Sequence, residues 1–425
     1  MPVIFRIGNG RKTSPSGSCI SSTATEERAM RCWYFSEMAY HPAWEAGLQR
    51  GTLRVVLPSS NFDPPTAHGL LNRYLDEFAL CDEVGLDIMV NEHHSTVTCM
   101  TVSAPMALAI IARETRRARL LSLGTPIANR PDPVRVAEEM AWLDVLSGGR
   151  LEMGLVKGAP YEIQPANSNP ATLMRRYWEA HDLILKAMST HDGPFNWEGE
   201  FFQYRSVNIW PKPVQKPTPP VWMTGMSEGT GTLAAERGHV VGTLLSGGTA
   251  KPMYDAYRKR ARELGWEAGP DRMAYAAVVG VGATRAEGLR RADQIADYVR
   301  TAPVVAEQFT NPPGYNSIAA NVAIMKAGPR AHRIVKDRQG NTIDHRKATV
   351  QQFMDTDTVF AGTPDDVFNQ IRLFNDRMGG IGHLLFFGQG GFLDHNDAVE
   401  NIRLFGREVA PRLQELDAQT VAAAD

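Results

Sequence analysis

No Cys-x-x-Cys pair occurs in this chain, and its four cysteines, Cys19, Cys32, Cys81 and Cys99, are too few and too scattered for a disulfide framework. A reducing, cytoplasmic setting is expected, with no metal centre built on thiols. No apolar run reaches the roughly 18 to 20 residues that cross a bilayer, and the N-terminus lacks the continuous apolar stretch of a secretory signal, so no membrane association is expected. An excess of charge of one sign is missing too. The 45 basic and 47 acidic residues leave a net charge of −2, and no basic stripe is interleaved with aromatics, so nucleic acid is not an expected partner. The dinucleotide fingerprint fails, because Gly280-Val281-Gly282 has no third glycine at the required spacing. These absences leave small-molecule chemistry.

What is present is alternation. Short apolar runs rich in β-branched or aromatic residues recur between longer segments of helical period. The candidate strands are Arg31–Glu37, Leu86–Glu92, Leu120–Ile127, Arg150–Val156, Val221–Met226, Val240–Ser246, Met273–Val281 and Gly382–Gly388. Such βα units predict an α/β fold, a closed (β/α)8 TIM barrel with its working face at the C-terminal ends of the strands. Asp132 followed by Pro133 signals a helix start, and Ser147-Gly148-Gly149 its end. Thr363-Pro364-Asp365-Asp366 opens another helix, closed by Gly379-Gly380. Leu71, Tyr74, Leu75, Phe78 and Cys81 form one apolar stripe, which predicts a core position for Cys81.

Residues 1–29, rich in Gly, Ser and Thr, are expected to form a mobile extension, and residues 30–425 the barrel. Three stretches interrupt the regular scheme. Residues 39–65 make a long excursion after the first strand. The proline-rich stretch 190–220 predicts a hairpin or extended connection. Residues 302–350, with Lys326, Arg330, Arg333, Lys336 and Arg338, predict a large insertion acting as a lid.

Three constellations carry candidate chemistry. Asn91-Glu92-His93-His94 ends the second strand, where polar residues on a barrel suggest catalysis. Neighbours on a regular strand point to opposite faces, so one histidine should face the pocket and the other be structural. Adjacent histidines without a third ligand argue against a metal. Lys157, between Gly154-Leu155-Val156 and Gly158, is placed to meet a phosphate as a point charge. Gly225-Met226-Ser227-Glu228-Gly229-Thr230-Gly231 turns into a helix and offers free amides to an anion. The same turn matches the nucleophile elbow Gly-x-Ser-x-Gly of α/β-hydrolases, with Asp365 or Asp366 and His383 or His395 available to complete a triad on Ser227. No oxyanion loop precedes that serine.

Taken in order, Glu92-His93-His94, Leu123-Gly124-Thr125, Asp132 to Glu139, Leu146 to Glu152, Ala234-Ala235-Glu236-Arg237-Gly238 and Gly362-Thr363-Pro364 resemble the bacterial-luciferase-like monooxygenases, from Met30 to about Leu413. The resemblance implies flavin mononucleotide (FMN), bound reduced as FMNH2, across the mouth of the barrel. Lys157, Gly158, Ser227 and Thr230 fall where its phosphate is held. Pro126, Asn129 and Tyr161 fall around the ring. The role of the histidine beside the reactive edge of the flavin maps to His93, with Glu92 and His94 beside it. A non-prolyl cis peptide maps near Pro126-Ile127. The resemblance further implies O2 and a small organic substrate, an NAD(P)H:flavin reductase supplying FMNH2, and a homodimer. Val156 stands where luciferase has a reactive cysteine, and Lys157 where it has an arginine, so the phosphate contact loses a bidentate fork. The barrel also hosts deazaflavin (F420) enzymes, which are the alternative; a flavin-binding protein without turnover is another. Substrate choice is expected to rest on Trp33, Tyr34, Asn129, Tyr161 and Tyr315.

Overall fold

The computed structural model describes residues 30–327 and 334–416. The expected extension at 1–29 lies outside the described residues, as do Arg330 and Arg333. Every expected barrel strand forms: Arg31–Ser36, Asp87–Val90, Leu120–Pro126, Leu151–Val156, Val221–Thr224, Val240–Leu244, Met273–Val281 and His383–Gln389. Neighbouring strands run parallel throughout, and pairing of Val241 with Met273 and of His383 with Ala274 closes the ring. This is the expected (β/α)8 barrel.

Alternation along each strand divides the core into two layers. Trp33, Phe35, Leu121, Leu123, Trp222 and Leu385 point into the barrel, whereas Cys32, Tyr34, Ile88, Leu120 and Phe386 pack against the helices outside. The interior is plugged by aromatics. Trp33 and Trp222 meet edge to face at 5.5 Å, Trp33 Nε1 donates to His383 Nδ1 (3.1 Å), and Trp222 Nε1 donates to Glu152 (2.6 Å). Tyr34 donates to Glu77 in the outer layer. Trp33 and Tyr34 are therefore structural, contrary to the expectation that they shape substrate choice. Strand alternation and burial, not proximity to the mouth, decide where they point.

The helix signals act as expected. The Asp132 carboxylate accepts from the Arg135 amide at the start of Pro133–Ser147, and Gly148 ends that helix in the left-handed region. Thr363 and Gly379 do the same for Pro364–Met378. The proline-rich stretch contains the antiparallel hairpin Phe195–Glu198 with Gln203–Val207.

A ninth strand was not expected. Val359–Gly362 pairs in parallel with Val278–Val281, the upper half of the seventh barrel strand. Four apolar residues beside a helix cap carry no period from which to read it. Helix Arg285–Thr301 crosses this junction so closely that a Cβ on Gly288 would lie 2.2 Å from the Gly362 carbonyl oxygen. Between these two elements the insertion holds helix Ile318–Ala327 and a two-stranded pair, Ile334–Lys336 with Thr342–Asp344.

One buried pair couples the fold to pH. His181 Nε2, on the buried face of helix Leu173–Ser189, lies 2.9 Å from His239 Nε2. Burial, then the charges of His181, Arg237 and Arg272, push the His239 imidazole from near 6.5 down to about 3. The unfolded chain binds that proton below about pH 6.5 and the folded chain does not, so stability is full above that pH and lost as pH falls. Urea unfolding between pH 7 and 5 should show a folding constant that drops by up to about tenfold per pH unit more in wild type than in His239→Gln. Parallel pH profiles for the two proteins would contradict this.

Candidate active site

A cavity of about 660 Å³ opens at the C-terminal mouth of the barrel, within the range of organic ligand sites. Its floor is apolar, made by Phe35, Met89, Leu123, Ala276 and Leu385 from five strands. Polar groups enter from the strand ends, at Thr224 and Thr243, and from the loops and helices above.

The second strand stops at Val90, so Asn91 to His94 leave the regular alternation and both Glu92 and His93 border the cavity. Glu92 is tied down: Arg130 Nη2 donates to both carboxylate oxygens (2.7 and 2.9 Å) and the Ala104 amide to Oε2 (2.9 Å). His94 turns to Glu92, Nε2 to Oε1 at 3.1 Å. Of the two histidines, His93 borders the cavity and His94 braces Glu92.

His93 Nδ1 lies 3.1 Å from Glu162 Oε1 and 2.9 Å from the Tyr161 hydroxyl. Burial would lower the His93 pKa, but the bond to Glu162 and the charges of Glu162 and Glu37 outweigh it and raise the pKa above the ordinary value. Burial likewise opposes ionisation of Glu162, yet His93 and the amides of Ala159 and His94 hold its carboxyl below the ordinary value. An ionised Glu162 must receive the Nδ1 proton. That leaves Nε2, which has no hydrogen-bond partner among the described residues, as the exchangeable atom. Tyr161 stands behind His93 and carries Arg54 4.4 Å over its ring, so it supports the imidazole without bordering the cavity.

Lys157 borders the cavity and has no carboxylate in ion-pair range among the described residues. Its Nζ sits 3.5 Å from the centre of the Tyr315 ring and donates to the Tyr315 carbonyl (3.4 Å), and burial lowers its pKa. The Tyr315 hydroxyl donates to the Gly158 carbonyl (2.8 Å), so the insertion touches the fourth-strand loop at two points. Thr230 also borders the cavity, in the first turn of helix Glu228–Arg237. A Cβ on Gly225 would lie 2.5 Å from Thr230 Oγ1, so glycine is what lets the threonine fold over the turn. A cation lacking an anion and a helix N-terminus on one apolar cavity fit a flat ring bearing a phosphate.

The remaining expected residues stand further off. Ser227 is exposed and caps its helix, accepting from the Thr230 amide (3.2 Å). Asn129 packs behind Gly158, both amide atoms buried without a hydrogen-bond partner. Pro126 borders the cavity, but the non-prolyl cis peptide is Leu123-Gly124, three residues before the expected place. The hydrolase triad is not assembled: His383 is engaged with Trp33 and the Asp271 carbonyl, His395 with Glu77, and Ser227 with Thr230. Glu37, Arg54, Arg130 and Glu162 were missed. Glu37 ends a predicted strand just as Glu92 does, and Glu162 follows the fourth strand at the same mouth, so strand-end position was a usable signal for both.

The profile of the luciferase-like monooxygenase family matches residues 52–379, and the chain belongs to that family. It is 26% identical over 181 residues to the oxygenase component of the flavin-dependent trigonelline monooxygenase of Acinetobacter baylyi, covering 41% of this chain and 49% of that protein. The chain thus spans about half the length of the curated relatives it matches. Among solved structures, the oxygenating constituent of 3,6-diketocamphane monooxygenase from Pseudomonas putida, in complex with FMN, superposes with a TM-score of 0.67 at 19% identity, covering 90% of this chain and 98% of that one. An F420-dependent secondary alcohol dehydrogenase superposes at 0.61 with 15% identity, over 90% and 99%. These two likenesses concern the fold. No helix among the described residues is long and apolar enough to cross a membrane.

The His93–Glu162 contact gives a direct test. Glu162→Gln removes the charge that raises the His93 pKa, so the imidazole should titrate at lower pH in the variant. Nitrogen-15 NMR of the histidine side chains reads this; an unmoved His93 midpoint would remove Glu162 as its partner.

Proposed function

We propose that this protein uses reduced FMN and O2 to oxygenate a small organic substrate, with FMNH2 supplied by a separate NAD(P)H:flavin reductase. The observation that carries the reading is the pairing, on one apolar cavity, of Lys157, a cation without a carboxylate partner among the described residues, with His93, whose Nε2 has no hydrogen-bond partner among them. Family membership supports it, as does a relative named as the oxygenase component of a flavin-dependent monooxygenase.

In this reading Lys157, the Gly158 loop, Thr230 and the capped turn at Ser227 hold the phosphate, and the apolar floor carries the ring. Bound reduced flavin supplies the two electrons that reduce oxygen. His93 holds or donates a proton at Nε2 beside the reacting atoms, with its tautomer fixed by Glu162. The described part of the insertion, within 302–327 and 334–350, acts as a lid, since Tyr315 already reaches Lys157 and Gly158. Solvent is excluded from the mouth when the lid is down. A homodimer fits the adjacent helices Ala104–Glu114 and Pro133–Ser147, which expose Met106, Ile110, Trp142 and Val145. Buried free Cys32, Cys81 and Cys99 suit a reducing cytoplasm.

A deazaflavin cofactor is the second reading, because an F420-dependent enzyme shares the fold. Equilibrium titration with reduced FMN and with reduced F420 separates the two, and preference for F420 overturns the monooxygenase assignment.

Two variants test the roles. Lys157→Ala should weaken reduced FMN by about tenfold or more while leaving reduced riboflavin almost unaffected, the difference expected from one charge-assisted contact. Equal loss for both ligands would place the phosphate elsewhere. His93→Ala should keep FMN affinity but cut product formation by about 10² to 10⁴, with hydrogen peroxide released in its place. Wild-type coupling of oxygen to product in that variant would sink the role.

A further inference from the structure

Three carboxyl groups border the mouth of the cavity, and their partners differ. Glu92 is clamped by Arg130 and Glu162 contacts His93. Glu37, just beyond the end of the first strand, is only 5% exposed and forms no ion pair among the described residues. Asn91 Nδ2 donates to its Oε2 at 2.7 Å. The Asn91 Oδ1 accepts from Cys99 Sγ (3.5 Å), which orients the amide so that its N–H group must face Glu37. Asn91 thus occupies Oε2, and the Tyr298 hydroxyl also bonds to the carboxyl. The groups that sense the Glu37 charge come from every side: His93, Arg54, Tyr298, Cys99 and Tyr161. Arg54 stacks on Tyr161 and donates to Thr98, and its charge reaches Glu37 without forming an ion pair with it.

We propose that Glu37 is a second proton-exchanging residue of this cavity, coupled to His93 so that the two groups hold one exchangeable proton between them. The coupling belongs to the protein without its cofactor; only its use in turnover rests on the oxygenase reading. Burial disfavours the carboxylate and raises the Glu37 pKa, outweighing His93, Asn91, Arg54 and Tyr298, of which a protonated His93 does most to stabilise the carboxylate. By reciprocity an ionised Glu37 stabilises the imidazolium. Two arrangements then hold the same number of protons: neutral Glu37 beside neutral His93, or carboxylate beside imidazolium. Passing between them breaks an O–H bond at Glu37 and forms an N–H bond at His93 Nε2, the proton being carried through the cavity that both residues border. No oxidant or reductant takes part and no net charge enters the cavity. In an oxygenation, the oxygen atom that leaves as water needs protons in a desolvated place. The pair is a store of one, refilled from solvent.

The test uses the cofactor-free protein first. Infrared spectroscopy should show a protonated-carboxyl C=O absorption persisting above the usual carboxylate range, lost in Glu37→Gln. Nitrogen-15 NMR should show the His93 midpoint shifted to lower pH in that variant. Reciprocally, His93→Gln should push the Glu37 carboxyl absorption to still higher pH, which keeps the proposal open to refutation even if Glu37→Gln folds poorly. If either group titrates identically with and without the other, the coupling does not exist. With reduced FMN and a substrate in hand, Glu37→Gln should bind FMN as wild type does, while kcat falls about a hundredfold and one limb of its pH profile disappears; Glu37→Asp should restore that limb. Unchanged kcat with intact coupling would leave the pair without a catalytic role and overturn its assignment as a working proton store. Failure of FMN to bind at all would instead strike the oxygenase reading and leave the infrared and NMR results standing.

Discussion

Parallel pairing between Val240–Leu244 and Met273–Val281 turns a sheet into a ring, and the rest of the molecule follows from that closure. A closed ring has no edge, so every barrel strand finds neighbours for its backbone, and its inward side chains must fill a space of fixed width. Trp33, Trp222 and His383 fill it. Inside the ring the polar groups of Glu152 and His383 are taken up by Trp222 and Trp33, and the polar side chains open to a ligand lie above the last apolar layer. Chemistry is confined to the rim by volume, before any question of mechanism arises.

The charges at that rim are unevenly matched. Glu92 and Arg130 cancel, and Glu162 with His93 forms a second local pair. Lys157 meets an aromatic face in place of an anion, and Glu37 meets an amide in place of a cation. A ligand that brings negative charge to one end and reacts at the other would complete both. The Tyr315 ring tempers the desolvated ammonium, and the Asn91 amide tempers the buried carboxyl.

How much could be read from the sequence depended on whether a feature was periodic. Strand alternation, caps at Asp132 and Thr363, and left-handed glycines at Gly148 and Gly379 are local, and each set its element within a few residues. Val359–Gly362 is too short to carry a period, so its pairing with the seventh strand was invisible. Among the candidate residues, His93 and Lys157 were legible from their place at strand ends. The roles of Glu162 and Arg130 were not, because an ion pair joins residues 38 to 69 positions apart and leaves no trace in spacing. Trp33 and Tyr34 were misjudged for the opposite reason: their chemistry suggested recognition, and only the inward or outward sense of the strand shows that one plugs the barrel and the other buttresses a helix.

The close approach of Gly288 to the backbone of Gly362 has an evolutionary consequence. The chain leaves the barrel for its insertion at the end of helix Arg285–Thr301 and returns through Val359–Gly362, so both stems of the excursion are clasped against the same strand. Whatever lies between them is a graft on a fixed stock. Its length and composition can drift without altering strand register or floor, provided the clasp and the Tyr315 contacts to Lys157 and Gly158 are kept. Descendants of such a barrel are free to change what they accept while keeping how they react.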